Sequence, residues 1–232
     1  MFKKKQVLWL KWVGLPIFAF SILVNIYQFI NYKFTDNSIL VLEVIDGDTI
    51  LLDGKVKLRL RHLDAPEIDN CKGQAAKEFL ESFIKGKKVI IQEKILDQRG
   101  RPLALVYLGN TLINQKILEA GLARYHHDKT TKEDLLKNLS LEVKEEKIGI
   151  YSPECYQKDK NLENPDCIIK GNMDVNDSSI KRYYFPGCAQ YDFTIVEKDK
   201  GEQWFCTEAE AREAGYVKSK RCPDKKFPPP SD

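Results

Sequence analysis

The stretch from residue 39 to residue 60 constrains the fold of this chain more than any other. Its apolar residues are mostly β-branched or leucine, they alternate with polar residues after residue 55, and the pairs Asp46-Gly47 and Asp53-Gly54 interrupt them. Asp-Gly between apolar runs is a strong hairpin signal, because glycine accepts the positive φ that a tight turn needs. The stretch therefore predicts short strands joined by tight turns, with Gly47 bending the chain next to Asp48.

Helices and further strands are predicted along the next hundred residues. Helical periodicity covers residues 74–85, 111–120 and 131–147, and a glycine closely follows each segment. Apolar strands are predicted at residues 88–95 and 103–108, joined by a polar loop. The chain has 232 residues, 43% of them hydrophobic, which is enough to bury a core. We therefore expect an α+β fold class, with a five-stranded OB-fold β-barrel and three helices over residues 37–153.

Residues 12–30 contain no charged side chain. Such a run approaches the roughly 20 residues that span a bilayer as a helix. Four lysines precede it and only Lys33 closely follows, so the positive-inside rule places the N-terminus in the cytoplasm. We expect a transmembrane anchor over residues 1–35, and hence a single-pass protein of the cell membrane whose C-terminal part is extracellular. A cleaved signal peptide, which would give a secreted protein, and a buried core helix are the alternatives.

The chain has six cysteines, and exported proteins use cysteine for disulfides more often than for catalytic thiols. Cys71 stands alone, whereas the other five lie between residues 155 and 222. Complete pairing therefore requires a partner for Cys71 in the last third of the chain, and Cys155 is the first candidate.

Three carboxylates and two arginines of the expected barrel form a candidate site. Asp48 and Asp64 lie on neighbouring strands, and calcium prefers such carboxylate oxygens together with carbonyl and water oxygens. Arg59 and Arg101 suit a fork-shaped clamp on a phosphate better than exposed salt bridges, which contribute about 0–1 kcal/mol. With Glu67 as a spare carboxylate, this set of residues indicates phosphodiester hydrolysis.

The same segments resemble the thermonuclease family, also called staphylococcal or micrococcal nucleases. VIDGDT, RLRHLDAPE, DQRGRPLALVY, INQKILEAGLARY and EEKIGIYS occur in the order of that family and at compatible spacings, over residues 39–152. The resemblance implies an OB-fold endonuclease that uses calcium to cut DNA or RNA and leaves 3′-phosphate ends. No obligate protein partner is expected.

The resemblance also implies a role for each matching residue. Calcium would be bound by Asp48, Asp64 and the backbone carbonyl of Ala65, the phosphate by Arg59 and Arg101, and the attacking water by Glu67, with Asp46 supporting the site from behind. Ala65 stands where the best-known member of the family has a threonine, and a carbonyl ligand tolerates that change. After the Gly-Leu-Ala turn, Tyr125 or His127 could stack on a base.

A non-catalytic nucleic-acid receptor or scaffold is the alternative function. A barrel that only binds would lose the site arginines or aspartates first, because no structural need keeps them. This chain has all five residues of the candidate site, so we expect catalysis.

Residues 154–226 are expected to form a small cysteine-rich α+β module, with strands at 182–185 and 191–196 and a helix from Thr207. The segment resembles a module found after such nucleases and, more distantly, the metal-binding domain of Ada-type DNA repair methyltransferases. Of the four zinc thiolate positions of that domain, only Cys188 and Cys222 match, since Asp192 and Ser219 occupy the other two. We therefore expect two disulfides rather than zinc.

A run of basic residues in the module suggests contact with nucleic-acid phosphates. The net charge of the chain is only +3, so any basic surface must be local. The module has a run of such residues, which either contact phosphates or form a solvated tail: Lys218, Lys220, Arg221, Lys225 and Lys226. Residues 227–232, with three consecutive prolines, are expected to be disordered.

Overall fold

The structure, a computed structural model, describes residues 20–25, 38–225 and 227. The chain divides into two compact units, residues 1–38 and residues 39–232. Within the first unit, residues 20–25 are helical, and the Asn25 side chain donates to the Ser21 carbonyl at 2.7 Å. None of the helices in the described ranges is long and apolar enough to cross a membrane. Except for residues 20–25, the predicted anchor at residues 1–35 lies outside those ranges.

Short strands dominate the second unit. In its first part they are β1 (Ser38–Val44), β2 (Thr49–Leu52), β3 (Val56–Leu60), β4 (Leu63–Asp64), β5 (Lys88–Leu96), β6 (Pro102–Leu108), β7 (Thr111–Leu112) and β8 (Arg124–Tyr125). The large sheet has the order β3-β2-β1-β5-β6-β7, and parallel pairing of β3 with β6 closes it into a barrel. The expected α+β fold with a five-stranded OB-type barrel is thereby confirmed.

Three helices accompany the barrel: α1 (Gly73–Ile84), α2 (Ile113–Glu119) and α3 (Glu133–Glu145). Helix α1 turns Ala76, Leu80 and Ile84 inward at four-residue spacing, and all three are fully buried in the barrel core. The prediction started α2 two residues too early, because Thr111–Leu112 first pair with β6 as a strand.

The sequence Thr-x-x-Asp from Thr131 to Asp134 resembles a capping box and predicts that Thr131 caps α3, which is wrong. The Thr131 hydroxyl donates to the Glu93 carboxylate instead, and the Thr130 hydroxyl accepts from the Lys132 backbone N–H at 3.1 Å.

The C-terminal module follows the 3₁₀ turn Gly149–Tyr151. Its elements are β9 (Tyr156–Gln157), β10 (Ile169–Met173), β11 (Lys181–Tyr184), β12 (Val196–Glu197), β13 (Trp204–Phe205), α4 (Glu208–Glu213) and β14 (Val217–Lys218). Four strands form a sheet of order β13-β10-β11-β14, and β12 pairs with β9. The Thr207 hydroxyl caps α4 by accepting from the Glu210 N–H, as the capping box predicts.

The predicted strand at residues 191–196 is wrong. Tyr191–Phe193 form a 3₁₀ turn, and only Val196 continues into a strand. The turn is organised by Lys170, whose ammonium is buried and donates to the Tyr191 and Thr194 carbonyls at 2.8 and 2.9 Å. Burial lowers the pKa of this lysine. Two carbonyls that face one buried cation are not available to a strand ladder.

Phe227, the first residue of the tail that is expected to be disordered, contacts the module. Its N–H donates to the Glu208 carboxylate at 2.6 Å, and its ring lies 5.2 Å from the Phe185 ring. Residues 228–232 lie outside the described residues.

All six cysteines form disulfides, and the pairs are Cys71–Cys155, Cys167–Cys206 and Cys188–Cys222. The expected partner of Cys71 is confirmed, and so is the choice of disulfides over zinc in the module, because no thiolate is left to bind a metal. The Cys71–Cys155 bond joins the loop before α1 to the start of the module.

Candidate active site

The β1–β2 turn places Asp48 inside the protein. Its side chain is buried, with the residue only 1% exposed, and its backbone N–H donates to the Asp46 carboxylate at 3.0 Å. The Asp48 carboxylate accepts from the Thr49 hydroxyl at 2.9 Å and from the Ala65 N–H at 2.8 Å. The carboxylate is thus fixed by its own turn and by the chain that leaves β4.

Gly47 has a different reason to be glycine from the one that the sequence predicts. Its φ is not in the left-handed region, so the turn does not need the backbone freedom of glycine. A Cβ at this position would lie 2.6 Å from the Ala76 Cβ and 2.7 Å from the Ala65 Cβ. Gly47 therefore lets the Asp48 turn pack directly against helix α1 and Ala65.

Arg59 joins the two predicted calcium ligands. It lies on β3 opposite Thr49, and its Nη2 is 2.7 Å from both Asp48 Oδ2 and Asp64 Oδ1. The Asp48 side chain is 2% exposed whereas that of Asp64 is 62% exposed. The buried carboxylate of Asp48 and the exposed carboxylate of Asp64 thus contact the same nitrogen of Arg59.

The donor set fits a hard cation. Burial raises the pKa of the Asp48 carboxyl to about 7, and the Arg59 guanidinium opposes that rise. The described residues contain no group of three or more His, Cys, Asp or Glu side chains able to hold a metal. Two carboxylates would therefore have to be completed by carbonyl, water or substrate oxygens, which calcium accepts.

A groove of about 650 Å³ adjoins the carboxylates, and we call it the arginine groove. Arg59, Asp64 and Arg101 line it, with His126 and His127 at its other wall. The Arg101 Nε donates to Asp97 at 2.7 Å, while its two Nη groups have no partner among the described residues. The backbone N–H of Arg101 also donates to the Asp97 carboxylate, and these bonds lower the pKa of Asp97. Arg101 is thus held at its base and exposed at its tip.

Glu67 faces a second groove, of about 370 Å³, which we call the Glu67 groove. Asp64, Ala65 and Glu67 line one side, and Met173 to Val175 of the C-terminal module line the other. Asp64 lines both grooves, whereas Arg59 and Arg101 line only the first and Glu67 only the second. The Glu67 side chain is exposed.

The Glu67 loop is fixed by close packing and by the C-terminal module. The Glu67 carbonyl accepts from the Asn70 N–H at 2.9 Å, and a Cβ at Gly73 would lie only 1.9 Å from that carbonyl oxygen. The Asn70 side chain donates to the Asp199 carbonyl, and Cys71 is bonded to Cys155.

Of the two predicted base-stacking residues, the structure leaves His127 accessible. Tyr125 is half-buried and stacks on His62 with a centroid distance of 5.5 Å. The His127 side chain is 78% exposed, with its Nδ1 3.2 Å from Glu133. A role for His127 in base stacking stays a prediction.

Two arginines that the sequence did not single out support the site. Arg61, 4% exposed, forms paired bonds of 2.6 and 2.7 Å with Asp128. Arg124, opposite Asp64 in the β4–β8 ladder, forms paired bonds of 2.6 and 2.8 Å with Asp199 of the module. Arg61 comes directly after β3 and two residues after Arg59, and this spacing was a usable signal. Arg124 gave none, because its partner lies 75 positions away.

Comparison with known proteins gives the same family as the motifs. A family model described as staphylococcal nuclease homologue matches residues 57–153. The thermonuclease of Staphylococcus intermedius is 35% identical over 131 residues, which cover 48% of this chain and 78% of that protein. An uncharacterized endonuclease of Escherichia coli O157:H7 is 33% identical over 116 residues, which cover 48% of this chain and 75% of that protein. The chain belongs to the staphylococcal nuclease family.

Membership of this family identifies the chain as a thermonuclease-like nuclease, a hydrolase. The family match ends at residue 153, before the C-terminal module begins. The resemblance of that module to the Ada-type domain therefore stays a prediction.

Proposed function

We propose that this nuclease is a calcium-dependent endonuclease that hydrolyses DNA, RNA or both and leaves 3′-phosphate ends. The observation that carries the proposal is the convergence of Asp48 and Asp64 on one cationic nitrogen, beside a groove into which Arg101 projects. Two carboxylates can bind a cation, and the guanidinium groups of two arginines can donate hydrogen bonds to a phosphate. Together they form a site for a phosphodiester.

In this proposal each residue of the site has one task. Asp48, Asp64 and the Ala65 carbonyl would hold calcium, which when bound would stabilise negative charge on the phosphate oxygens. Arg59 and Arg101 donate to those oxygens and orient the phosphorus. Glu67 accepts a hydrogen bond, and then a proton, from the attacking water.

The bonds made and broken follow from the proposed products. The water oxygen forms a bond to phosphorus, the bond from phosphorus to O5′ breaks, and O5′ takes a proton. A 5′-hydroxyl and a 3′-phosphate result. Orientation of the water by Glu67 contributes more than its basicity, because a carboxylate is a weak base for water.

We also propose that the nuclease acts outside the cell, held by a membrane anchor over residues 1–35 or secreted after cleavage. The support is the uncharged run at residues 12–30 with lysines before it. The three disulfides agree with an oxidising compartment.

The test uses plasmid DNA and a long RNA, each incubated with the protein in calcium and then in excess chelator. We expect degradation in calcium that stops with chelator. Glu67→Gln and Arg101→Ala should each lower the rate by about 10²–10³-fold. Glu78→Gln on the surface of α1 and Arg212→Ala on α4 are matched controls and should keep the full rate.

Two results would contradict the proposal. Degradation that continues in chelator excludes the calcium role, and degradation that survives both site substitutions excludes the site. Binding of either polymer without cleavage in calcium would favour the receptor or scaffold alternative.

A further inference from the structure

The Glu67 groove continues into the C-terminal module. A third depression, of about 420 Å³, lies on the module, and Met173, Asp174 and Val175 line both it and the Glu67 groove. We call it the module depression. Because Asp64 in turn joins the Glu67 groove to the arginine groove, one surface leads from Arg101 past Asp64 and Glu67 to the module.

The far end of this surface is basic. Arg182, Lys220 and Arg221 line the module depression, and Arg182 lies 3.6 Å from Asp174. Lys220 and Arg221 are exposed and have no ion-pair partner within the described ranges. Their two charges therefore give the depression its positive character.

The backbone beneath the two cations is fixed. The Ser219 N–H donates to the Tyr183 carbonyl, and the Arg221 carbonyl accepts from the Ala189 N–H, both at 3.2 Å. The disulfide Cys188–Cys222 closes the segment immediately after Arg221. Because the backbone is already fixed, an anion that binds here has to order only the two side chains.

Other lysines are less well placed for the same strand of substrate. The Lys218 ammonium donates to the Lys225 carbonyl at 2.8 Å, so it is turned toward its own module. A separate depression is lined by Lys144, Lys147, Lys158 and Lys160, but it shares no lining residue with the Glu67 groove.

We propose that the module depression binds phosphates of the polynucleotide whose scissile bond lies at Asp64. The strand leaves the catalytic centre over the Glu67 groove, passes Val175, and contacts Lys220 and Arg221. Val175 is 90% exposed at the junction and offers an apolar contact to a base. The module is thus a substrate-binding extension that favours long chains. This inference rests on the proposed nuclease function.

The first test is binding by the full-length protein in chelator, so that cleavage plays no part. The probes are a fluorescent 30-nucleotide single strand and a trinucleotide of the same sequence. The variant is Lys220→Glu/Arg221→Glu. Lys87→Glu/Lys137→Glu makes the same charge change at exposed lysines of the barrel part, outside the grooves described above, and Lys220→Arg/Arg221→Lys preserves the charge.

We expect the charge reversal to weaken binding of the 30-mer about tenfold, with little change for the trinucleotide. Loss of two phosphate contacts should reduce the slope of log K against log salt by about 1.4 for a single strand. Both control variants should bind the 30-mer like the wild type. Lys220→Gln/Arg221→Gln should give a smaller shift in the same direction, which guards against misfolding of the reversed variant.

The second test is cleavage in calcium. The KM for the 30-mer should rise about tenfold in the charge-reversed variant, while kcat stays unchanged because the residues of the catalytic site are intact. Unchanged binding and KM for the 30-mer would overturn the inference. So would an equal loss of affinity for inorganic polyphosphate with an unchanged KM, since that would indicate a site for other polyanions. Absence of cleavage with normal binding would overturn the proposed function instead.

Discussion

Close contact at Gly47 determines where the Asp48 turn can lie. The nearest atoms to an added Cβ are the Cβ atoms of Ala65 and Ala76, at 2.7 and 2.6 Å, and neither belongs to a flexible side chain. Gly47→Ala should therefore move the turn away from helix α1, and overpacking of this kind costs about 1–3 kcal/mol.

The first prediction is that Gly47→Ala lowers both stability and activity. We expect the free energy of unfolding to fall by about 1–3 kcal/mol and the nuclease rate to fall at least tenfold, because Asp48 shifts relative to Ala65 and Arg59. Urea unfolding and plasmid cleavage measure the two effects. Ala75→Ser, at an exposed position of the same helix, should change neither. Normal activity of Gly47→Ala would show that the contact does not position Asp48.

Arg61 is the buried charge with the best-defined partner in the barrel. Besides Asp128, it donates to the Glu93 and Lys129 carbonyls at 2.6 and 2.8 Å. Asp128→Asn removes the charge partner of a buried arginine and should lower the free energy of unfolding. We expect a loss of about 2–3 kcal/mol, at or below the low end for a buried ion pair, because Asp128 itself is partly exposed. Glu81→Gln, which breaks an exposed pair with Lys85, should cost at most about 0.5 kcal/mol.

The pH dependence of this difference tests its electrostatic origin. The hydrogen bonds from Arg61 lower the pKa of Asp128 below its ordinary value of 3.8. The stabilisation is therefore complete above the unfolded-state pKa and is lost as pH falls through the lower folded-state pKa. Urea midpoints should differ by a constant amount between wild type and Asp128→Asn above about pH 5, and converge below 3.8. A gap that stays constant down to pH 2 would contradict the assignment.

At the scale of elements, the two-residue pair β4–β8 connects the site to the module. Asp64 lies opposite Arg124 in this pair, and Arg124 is bonded to Asp199 and lies 3.1 Å from Glu197. Asp199 is 4% exposed, and its carbonyl also accepts from Asn70 of the Glu67 loop. Asp199 thus holds both the strand that carries Asp64 and the loop that carries Glu67.

Asp199→Asn should weaken that support while leaving every proposed calcium and phosphate ligand in place. We expect the free energy of unfolding to fall by about 2–3 kcal/mol and kcat to fall severalfold, because the half-buried Arg124 loses its main charge partner. Glu163→Gln is the matched control, since it removes an exposed ion pair with Lys198 of the same region. Steady-state cleavage kinetics measure kcat, and thermal unfolding measures the loss of stability. A change in Tm with unchanged kcat would reduce Asp199 to a purely structural role.

At the scale of the whole molecule, disulfides join distant parts of the chain. Cys71 and Cys155 are 84 positions apart, and Cys188 and Cys222 are 34 apart. A longer closed loop restricts the unfolded chain more, and the chain-entropy relation gives about 4.5 and about 3.8 kcal/mol for the two bonds.

Cys71→Ser/Cys155→Ser should therefore destabilise the protein slightly more than Cys188→Ser/Cys222→Ser. The first pair of changes should also lower the nuclease rate, because Cys71 ends the Glu67 loop. Urea unfolding and plasmid cleavage, each with and without reductant, measure these effects. Full activity of the first variant would show that the disulfide does not hold Glu67.

Much of the fold could be predicted because it depends on local patterns. Alternating apolar residues with turns gave the strands of the barrel, and the spacing of Ala76, Leu80 and Ile84 gave α1. Prediction failed where a distant partner overrides the local pattern. Buried Lys170 holds residues 191–194 in a turn, and Glu93 takes the hydroxyl of Thr131 from its expected cap.

The sequence by itself determined which chemical groups are present, their order, the family and the need of Cys71 for a distant partner. These follow from residue identity and short spacings. Only the tertiary structure decided that Arg59 bridges Asp48 and Asp64, that Glu67 faces a separate groove, and that the C-terminal module forms one wall of that groove. The physical reason is that such contacts join residues up to 129 positions apart. Contacts over such separations produce no local pattern in the sequence from which they could be predicted.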